Sequence, residues 1–551
     1  MPKSFMPKSF MPMSFVLTVD RRPELPALAF AAEIVAGRRA VAVVCGPAVE
    51  IDDRGIIAGA WAGSFNLRAI EDAATSIGTA LLLTADGVVA LAGTASASPL
   101  YLCRVGPRLI VSNSLAFALA QADDRLVASH PFYPQDLCTF VFGSHRYRHT
   151  VPTQCGRLSV FYGATTIGED LRARPAMVRE PPRFPDFSAY KAYLKSETLS
   201  VFANAADPAR GTRYKPIIAL SAGYDSPAAA VIARDAGCEA GFTFGQPIDR
   251  SDGSEDSGAA IGQMLGLKID EYCTFAYRNR SDMPELEFIA SSFGGGQVYL
   301  SSTGASLAGR IVVSGYGGDR VWGRSYAERD RPHFPFYIGG YSQNEFYFRA
   351  PALDFSLPMI GARMFNDIGA ISRSEAMRPW SVGGDYDRPI ARRLLEEAGV
   401  PRGAFATRKR RVTPDYDNLA RRAVDLDRFL SPISRSAFEK WFETKQPILR
   451  SQVIRHRLLS DSVGRILWSG KLARTLYRCG IAWPPFPARI LRLKVPVRKN
   501  AFVFNWAVGE LVRRYHAVLA RHNAVRQPTN AVASPQSSVQ TRHERADPAQ
   551  L

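Results

Sequence analysis

The sequence predicts an α/β chain: a β-rich N-terminal domain, then a doubly wound parallel-sheet domain that ends in a basic helical region. Three observations carry this expectation. From about Phe15 to Tyr162, short apolar runs are separated by Gly-, Asp- and Ser-rich turns, the texture of antiparallel strands. After a Pro-rich stretch, apolar runs alternate with helical segments, the texture of βαβ units. Two of these later runs end in Gly/Ser/Asp turns, IIALSAGYDS at Ile217–Ser226 and IVVSGYGGD at Ile311–Asp319. In a parallel sheet such turns stand at the carboxyl ends of strands, where ligands bind.

Taken in order, the first fifteen residues are a near-repeat of MPKSF with no core-forming pattern. Residues 1–14 are therefore expected to be a flexible leader, or the start lies at a later Met. The β-rich domain is assigned to 15–171, an antiparallel layer with strands at Ala40–Cys45, Ala80–Thr84, Val88–Ala92, Arg108–Ser112 and Leu158–Tyr162. Residues 172–187 contain Pro175, Pro181, Pro182 and Pro185 and are expected to be a linker. The second domain is assigned to 188–522. It opens with a helix at Tyr190–Ala203, a buried strand at Pro216–Leu220 and a helix at Pro227–Ala236. A strand at Ala240–Phe244, a helix at Gly258–Leu265, and strands at Ile269–Phe275 and Arg310–Val313 follow. Helices are expected near 416–430, 449–475 and 501–522. The Ser/Gln/Pro-rich tail, 523–551, is expected to be disordered.

The chain has 551 residues, 69 Lys and Arg against 51 Asp and Glu, and a formal charge of +18. That charge is local. Residues 401–551 hold 29 Lys and Arg and 10 Asp and Glu, whereas the other 400 hold 40 and 41. A near-neutral body thus carries a basic C-terminal region, readable as a solvated helical surface or as a patch for an acidic ligand, a membrane or RNA. No uncharged apolar run reaches about 18 residues, which argues against a membrane span. The seven cysteines show no CxxC pair or His cluster. Zinc spacing is therefore absent, and an odd count without a secretory signal predicts reduced thiols in the cytoplasm.

The first turn carries the chemistry. An apolar strand running into a tight Ser/Gly loop that opens a helix aims backbone N–H groups and the helix dipole at one point, which suits a phosphate. Ser221, Gly223, Tyr224, Asp225 and Ser226 are the expected ligand contacts, with Asp225 also placed to hold Mg²⁺. A helix-entry turn without a ligand is the plainer reading. In the second turn Ser314, Gly315 and Gly317 would line the same ligand, with Asp319 as a second metal carboxylate. Its plainer reading is a glycine turn capped by a helix-starting Asp.

These turns meet a known family. SAGYDS resembles the SGGxDS pyrophosphate loop of the asparagine synthetase family, and VVSGYGGD resembles that family's SGxGxDE motif. RAPALD at Arg349–Asp354 is similar to its R-x-P-x-L-D. The run Asp387–Val400, then Pro401, Arg402 and KRRV at 409–412, is similar to its helix, turn and K-x-G-[FV]. More weakly, SPLYLCRVGPRLIVSNSLAFAL at 98–119 and TFVFGSHRYRHTVPTQCGRL at 139–158 resemble its glutamine-amidotransferase domain. The resemblance implies an ATP- and Mg²⁺-dependent synthetase domain behind a degenerate amidotransferase-like domain. The implied enzyme adenylates a carboxylate and couples it to an amine.

The departures refine that implication. Glutamine-dependent members need Cys directly after the initiator Met; here Pro2 follows Met1, and later Met starts give Pro7, Pro12 or Ser14. Glutaminase activity is therefore not expected. Tyr316 stands where ammonia-using members carry Glu, and Tyr there resembles the β-lactam synthetase and lasso-peptide macrolactam synthetase branch. That implies a phenolic base and intramolecular lactam closure in peptide or specialised-metabolite maturation, with a precursor peptide and a processing protease as possible partners. Tyr316 can also be a ring packed under the loop. Lys409 matches the family lysine that stabilises an oxyanionic intermediate, with Arg410 as its rival in a basic run. Phe244 lies where the family grips the nucleobase, and Ser251–Asp256 is acidic enough for another metal contact or a solvated turn. Arg320 replaces the usual Glu. Ala222 replaces the first loop glycine, which strains the loop only if φ there is positive. Transfer of a free amine or ammonia, and a non-catalytic nucleotide- or peptide-binding scaffold, are the alternatives. Nucleic acid is the poorer partner.

Overall fold

The computed structural model describes residues 15–96, 98–137, 149–176, 179–245, 257–291, 298–324, 344–384, 386–405, 430–445 and 499–526. Lys409, Arg410, Ser251–Asp256, the stretches 416–429 and 449–475, and the ends 1–14 and 527–551 lie outside these residues.

The chain is α/β with three sheets. The first holds β1 (Val16–Arg21), β2 (Phe30–Val35), β3 (Ala40–Cys45), β8 (Leu100–Val105), β9 (Arg108–Ser112), β10 (Thr150–Pro152) and β11 (Arg157–Phe161), in the order β1-β3-β2-β9-β8-β11-β10. The second holds β4 (Glu50–Asp52), β5 (Gly55–Trp61), β6 (Ser76–Leu83), β7 (Val88–Ala92), β12 (Ala164–Ile167) and β13 (Ala173–Pro175), in the order β13-β12-β7-β6-β5-β4. The expected single antiparallel layer is therefore two sheets, and β1 pairs with β3 in parallel.

The period of two shows why two sheets form. Ile56, Ala58, Ala60, Ile77, Leu81 and Leu83 join the main core, while Ile57, Trp61, Ala80 and Leu82 form a second cluster with Leu67 and Ile70. Strands apolar on both faces need cover on both faces, and β5 is buried throughout.

Part of the expected linker is structured. Ala173–Pro175 adds an edge strand beside β12. Farther on, Arg183 grips Asp367 through two hydrogen bonds of 2.7 Å, and the Phe184 N–H donates to the same carboxylate at 3.0 Å. Prolines remove donors from this segment; the side chain of Arg183 and one backbone N–H supply its anchorage. Asp186 then caps the helix Phe187–Ala205 by accepting from the Ala189 N–H.

The third sheet is parallel throughout: β14 (Lys215–Ala219), β15 (Ala240–Phe244), β16 (Lys268–Tyr272), β17 (Arg310–Ser314) and β18 (Leu353–Ser356), ordered β16-β15-β14-β17-β18. Numbered within this sheet the order is 3-2-1-4-5, so chain direction across the sheet reverses between β14 and β17. The crevice at such a switch point is where ligands sit in open α/β sheets. Helix Asp225–Asp235 packs on β14 and β17, and helix Phe187–Ala205 packs on it.

The C-terminal helix Val503–Arg526 lies against helices Leu115–Gln121 and Glu285–Ser291. Tyr515 stacks on Phe117 at 4.6 Å, and Asn505 donates to the carbonyls of Val127, Ala128 and His130. This helix therefore clamps the β-rich region to the parallel-sheet region. Among the described residues no helix is long and apolar enough to cross a membrane. Cys45, Cys103 and Cys238 are buried, and burial pushes each thiol up to about 11, the behaviour of small core residues.

Candidate functional site

Both Gly/Ser/Asp turns stand at the switch point, and they touch. The first leaves β14 after the buried Ile217 and Ile218. Its two serines close on each other: the hydroxyls of Ser221 and Ser226 are 2.9 Å apart, and the Ser221 N–H donates to Ser226 Oγ at 3.0 Å. The Gly223 N–H points at Ser221 Oγ, at 3.4 Å. Helix Asp225–Asp235 starts here, so its dipole favours negative charge at the loop. Among described residues other than glycine, only Asp123, Leu171 and Met283 have positive φ. Ala222 is therefore unstrained.

The second turn is shaped by what its glycines permit. A Cβ on Gly315 would lie 2.2 Å from the Asp225 carbonyl carbon and the Ser226 nitrogen, and one on Gly318 would lie 2.6 Å from Asp225 Cγ. Gly317 has φ +80°, a left-handed conformation that a side chain strains. The GYGG sequence thus lets the second loop bend and press its backbone onto Asp225. Trp322, fully buried and donating from Nε1 to Tyr190 Oη at 3.0 Å, anchors the turn's far end. Ser314 pairs in register with Ser356, whose Oγ donates to the Tyr316 carbonyl at 2.9 Å. The Ser356 N–H donates to the Ala95 carbonyl at 3.0 Å, so the β-rich region reaches the second loop. Tyr316 itself is half-buried.

A third element joins them. Asp387 accepts from the Ser381 hydroxyl and from the N–H groups of Val382 and Gly383, at 3.1 and 3.2 Å. This turn leads into helix Pro389–Glu397 and aims Arg388 at the first loop. Arg388, 7% exposed, donates to the Asp225 carboxylate. Burial alone would lower its ionisation, but the carboxylates of Asp225 and then Asp319 outweigh burial and raise it. Both acids therefore face one guanidinium. One helical turn on, Arg392 donates to the Tyr224 hydroxyl. Tyr224, 2% exposed, packs against Tyr386 at 4.8 Å and Phe405 at 5.8 Å. Its ring is a core element, which leaves only its backbone for a ligand.

The remaining expectations divide. Phe244 ends β15, beside β14, but its ring is 7% exposed and packs edge-on against Tyr299 at 4.6 Å. It is a wall of the core rather than an open plate. Arg349 pairs with Asp282 at 3.0 Å and Glu287 at 2.8 Å, not with either loop. Asp354, on β18, is half-buried by surface yet enclosed by protein, and burial pushes its carboxyl up to about 7. It forms no hydrogen bond or ion pair with a described residue. The described basic residues Lys499 and Arg514 of the C-terminal region contact Glu439 and the Asp282 carbonyl, not the loops.

Whether magnesium fits is decided by the donors. Asp319 is exposed, but Asp225 is committed to Arg388. Among the described residues no three His, Cys, Asp or Glu side chains are grouped to hold a metal ion. The described residues alone do not fit a divalent cation here.

Sequence reasoning quoted Arg388 and Arg392 only within the run Asp387–Val400, with no role of their own, and missed Ser356 and Ser257, the last bridging to Ser221 across the loop. The arginines had one local signal, their i,i+4 spacing around a Pro at the helix start. The chain matches no family model and no curated protein.

Proposed function

We propose that the chain is an ATP-dependent, AMP-forming amide ligase. The observation that carries this reading is the contact between the two Gly/Ser/Asp loops, Gly315 against Asp225, at the switch point of a parallel sheet. Paired serine hydroxyls, a helix N-terminus and the buried Arg388 meet at the first loop, a donor set suited to a polyphosphate.

In this reading the first loop and Arg388 hold the β- and γ-phosphates of ATP. A substrate carboxylate oxygen forms a bond to the α-phosphorus, and the bond from that phosphorus to the bridging oxygen breaks. Pyrophosphate leaves with the electron pair, giving an acyl-adenylate. An amine nitrogen then bonds to the acyl carbon, AMP leaves with the acyl–oxygen electron pair, and the amine's proton passes to a base. Tyr316, as its phenolate, is the proposed acceptor. It stands at the tip of the second loop, and Ser356 fixes its backbone. Lactam closure within one molecule is the preferred subtype, with a peptide or small-molecule carboxylate as substrate.

A second reading, a scaffold that binds nucleotide or peptide without turnover, draws on one observation: Arg388 occupies the Asp225 carboxylate. Carboxylate-dependent exchange of labelled pyrophosphate into ATP separates the two. Exchange in the wild type that Asp225→Asn abolishes supports the ligase. Identical background in both proteins, over a panel of peptide and small-molecule carboxylates, supports the scaffold.

A further inference from the structure

Arg388 and Asp225 form a nearly enclosed ion pair, with side chains 9% and 19% exposed, at the point where a nucleotide-loaded site would need a cation beside Asp225. We propose that Arg388 is a built-in counter-ion that closes the Asp225–Asp319 site to free divalent cations until a polyphosphate draws the guanidinium away. This rests on the proposed polyphosphate site and adds an order of assembly to it.

The physical argument starts from charge. Among the described residues the site holds two carboxylates and one guanidinium that both acids influence. A divalent cation entering this site must either sit beside the guanidinium or displace it. The first is opposed by like charge at short range. The second leaves a buried arginine without its partner, a costly state. A polyphosphate changes the balance because its oxygens accept from Arg388 in a charge-assisted pair. Asp225 would then be released from the guanidinium.

The fold is arranged for such an exchange. Asp387 fixes the backbone turn before Arg388 through the Ser381, Val382 and Gly383 contacts, so only the arginine side chain needs to move. Tyr386 lies 4.8 Å under the guanidinium and Tyr224 lies 5.9 Å away. Aromatic faces provide a surface along which a guanidinium can pivot without losing all its contacts.

Two titrations of the full chain test the proposal, Mn²⁺ alone and sodium pyrophosphate alone in EDTA. Arg388→Gln should bind Mn²⁺ at least about fivefold more tightly than wild type and bind metal-free pyrophosphate correspondingly more weakly. Asp225→Asn frees the guanidinium and should bind metal-free pyrophosphate about fivefold more tightly than wild type. A merely damaged site would weaken it. If Arg388→Gln does not fold, the Asp225→Asn arm decides. Unchanged or weaker pyrophosphate binding in Asp225→Asn, or Mn²⁺ binding no tighter in folded Arg388→Gln, overturns the counter-ion role. ATP with Mg²⁺, followed by equilibrium dialysis against wild type, separates the two levels. Binding there with failed Mn²⁺ and pyrophosphate arms sinks only the gate; no binding sinks the polyphosphate site as well.

Discussion

Gly315 lies so close to Asp225 that a Cβ on it would fall 2.2 Å from the Asp225 carbonyl carbon. Two loops separated by some ninety residues of sequence are held backbone to backbone by the absence of one methyl group. Gly315→Ala must force them apart. A displacement of about 1 Å in a phosphate-transfer site can cost about a hundredfold in rate, and that is the expected loss in ATP–pyrophosphate exchange. Gly403→Ala is the control, since nothing lies within 4 Å of its Cβ position, and exchange should be unchanged there. Comparable exchange in both variants would remove the loop contact from the mechanism.

Ala222 makes the opposite case. Its backbone lies outside the left-handed region, so glycine offers it no conformational relief. Ala222→Gly should leave exchange within about twofold and lower stability by about 0.5–1 kcal/mol through the freedom gained by the unfolded chain. A thermal melt and the exchange assay read both quantities. A large rise in activity would show that the alanine does constrain the loop.

The fold was readable where pattern is local. β3, β7, β9 and β15 have the bounds expected from their apolar runs. β5, Gly55–Trp61, was not among the expected strands, because its two glycines and two alanines dilute the alternation; only the tertiary structure shows it buried on both faces. β18 was read as part of RAPALD, although Leu353–Ser356 is a strand beside β17. At the site, both turns and their glycines were visible in sequence. The role of Arg388, inside the quoted run Asp387–Val400, was not, because its partner Asp225 is 163 residues away in the chain, and no local period reports that pairing. The burial of the Tyr224 ring was hidden for a related reason: its neighbours Tyr386, Arg392 and Phe405 come from a distant segment.

Tyr316 separates the two half-reactions. Its phenolate is the proposed proton acceptor in amide formation and takes no part in forming the acyl-adenylate. Tyr316→Phe keeps the ring and the backbone contact to Ser356. Pyrophosphate exchange should therefore stay within about threefold, while amide formation falls by about a hundredfold or more, the usual weight of a positioned proton acceptor. Amide formation at the wild-type rate would identify Tyr316 as a packing residue.

Glu345 predicts a pH dependence of stability. It is buried at the junction of helix Asn344–Arg349 with the C-terminal helix, and it accepts from the Ser114 and Tyr515 hydroxyls. Burial pushes its carboxyl from 4.5 up to about 7, against the pull of both hydroxyls. Asp354 is pushed from 3.8 up to about 7 by burial. Between the lower and the upper value the folded chain holds a proton that the unfolded chain has released. Stability must therefore fall as pH rises through that window, at up to about 1.4 kcal/mol per pH unit for each group. Glu345→Gln keeps the shape and removes one titration. Its urea midpoint should decline less than wild type between about pH 5 and pH 7.5, and the gap between the two should widen toward the alkaline end. Parallel declines in the two proteins would show that Glu345 is already ionised in the fold.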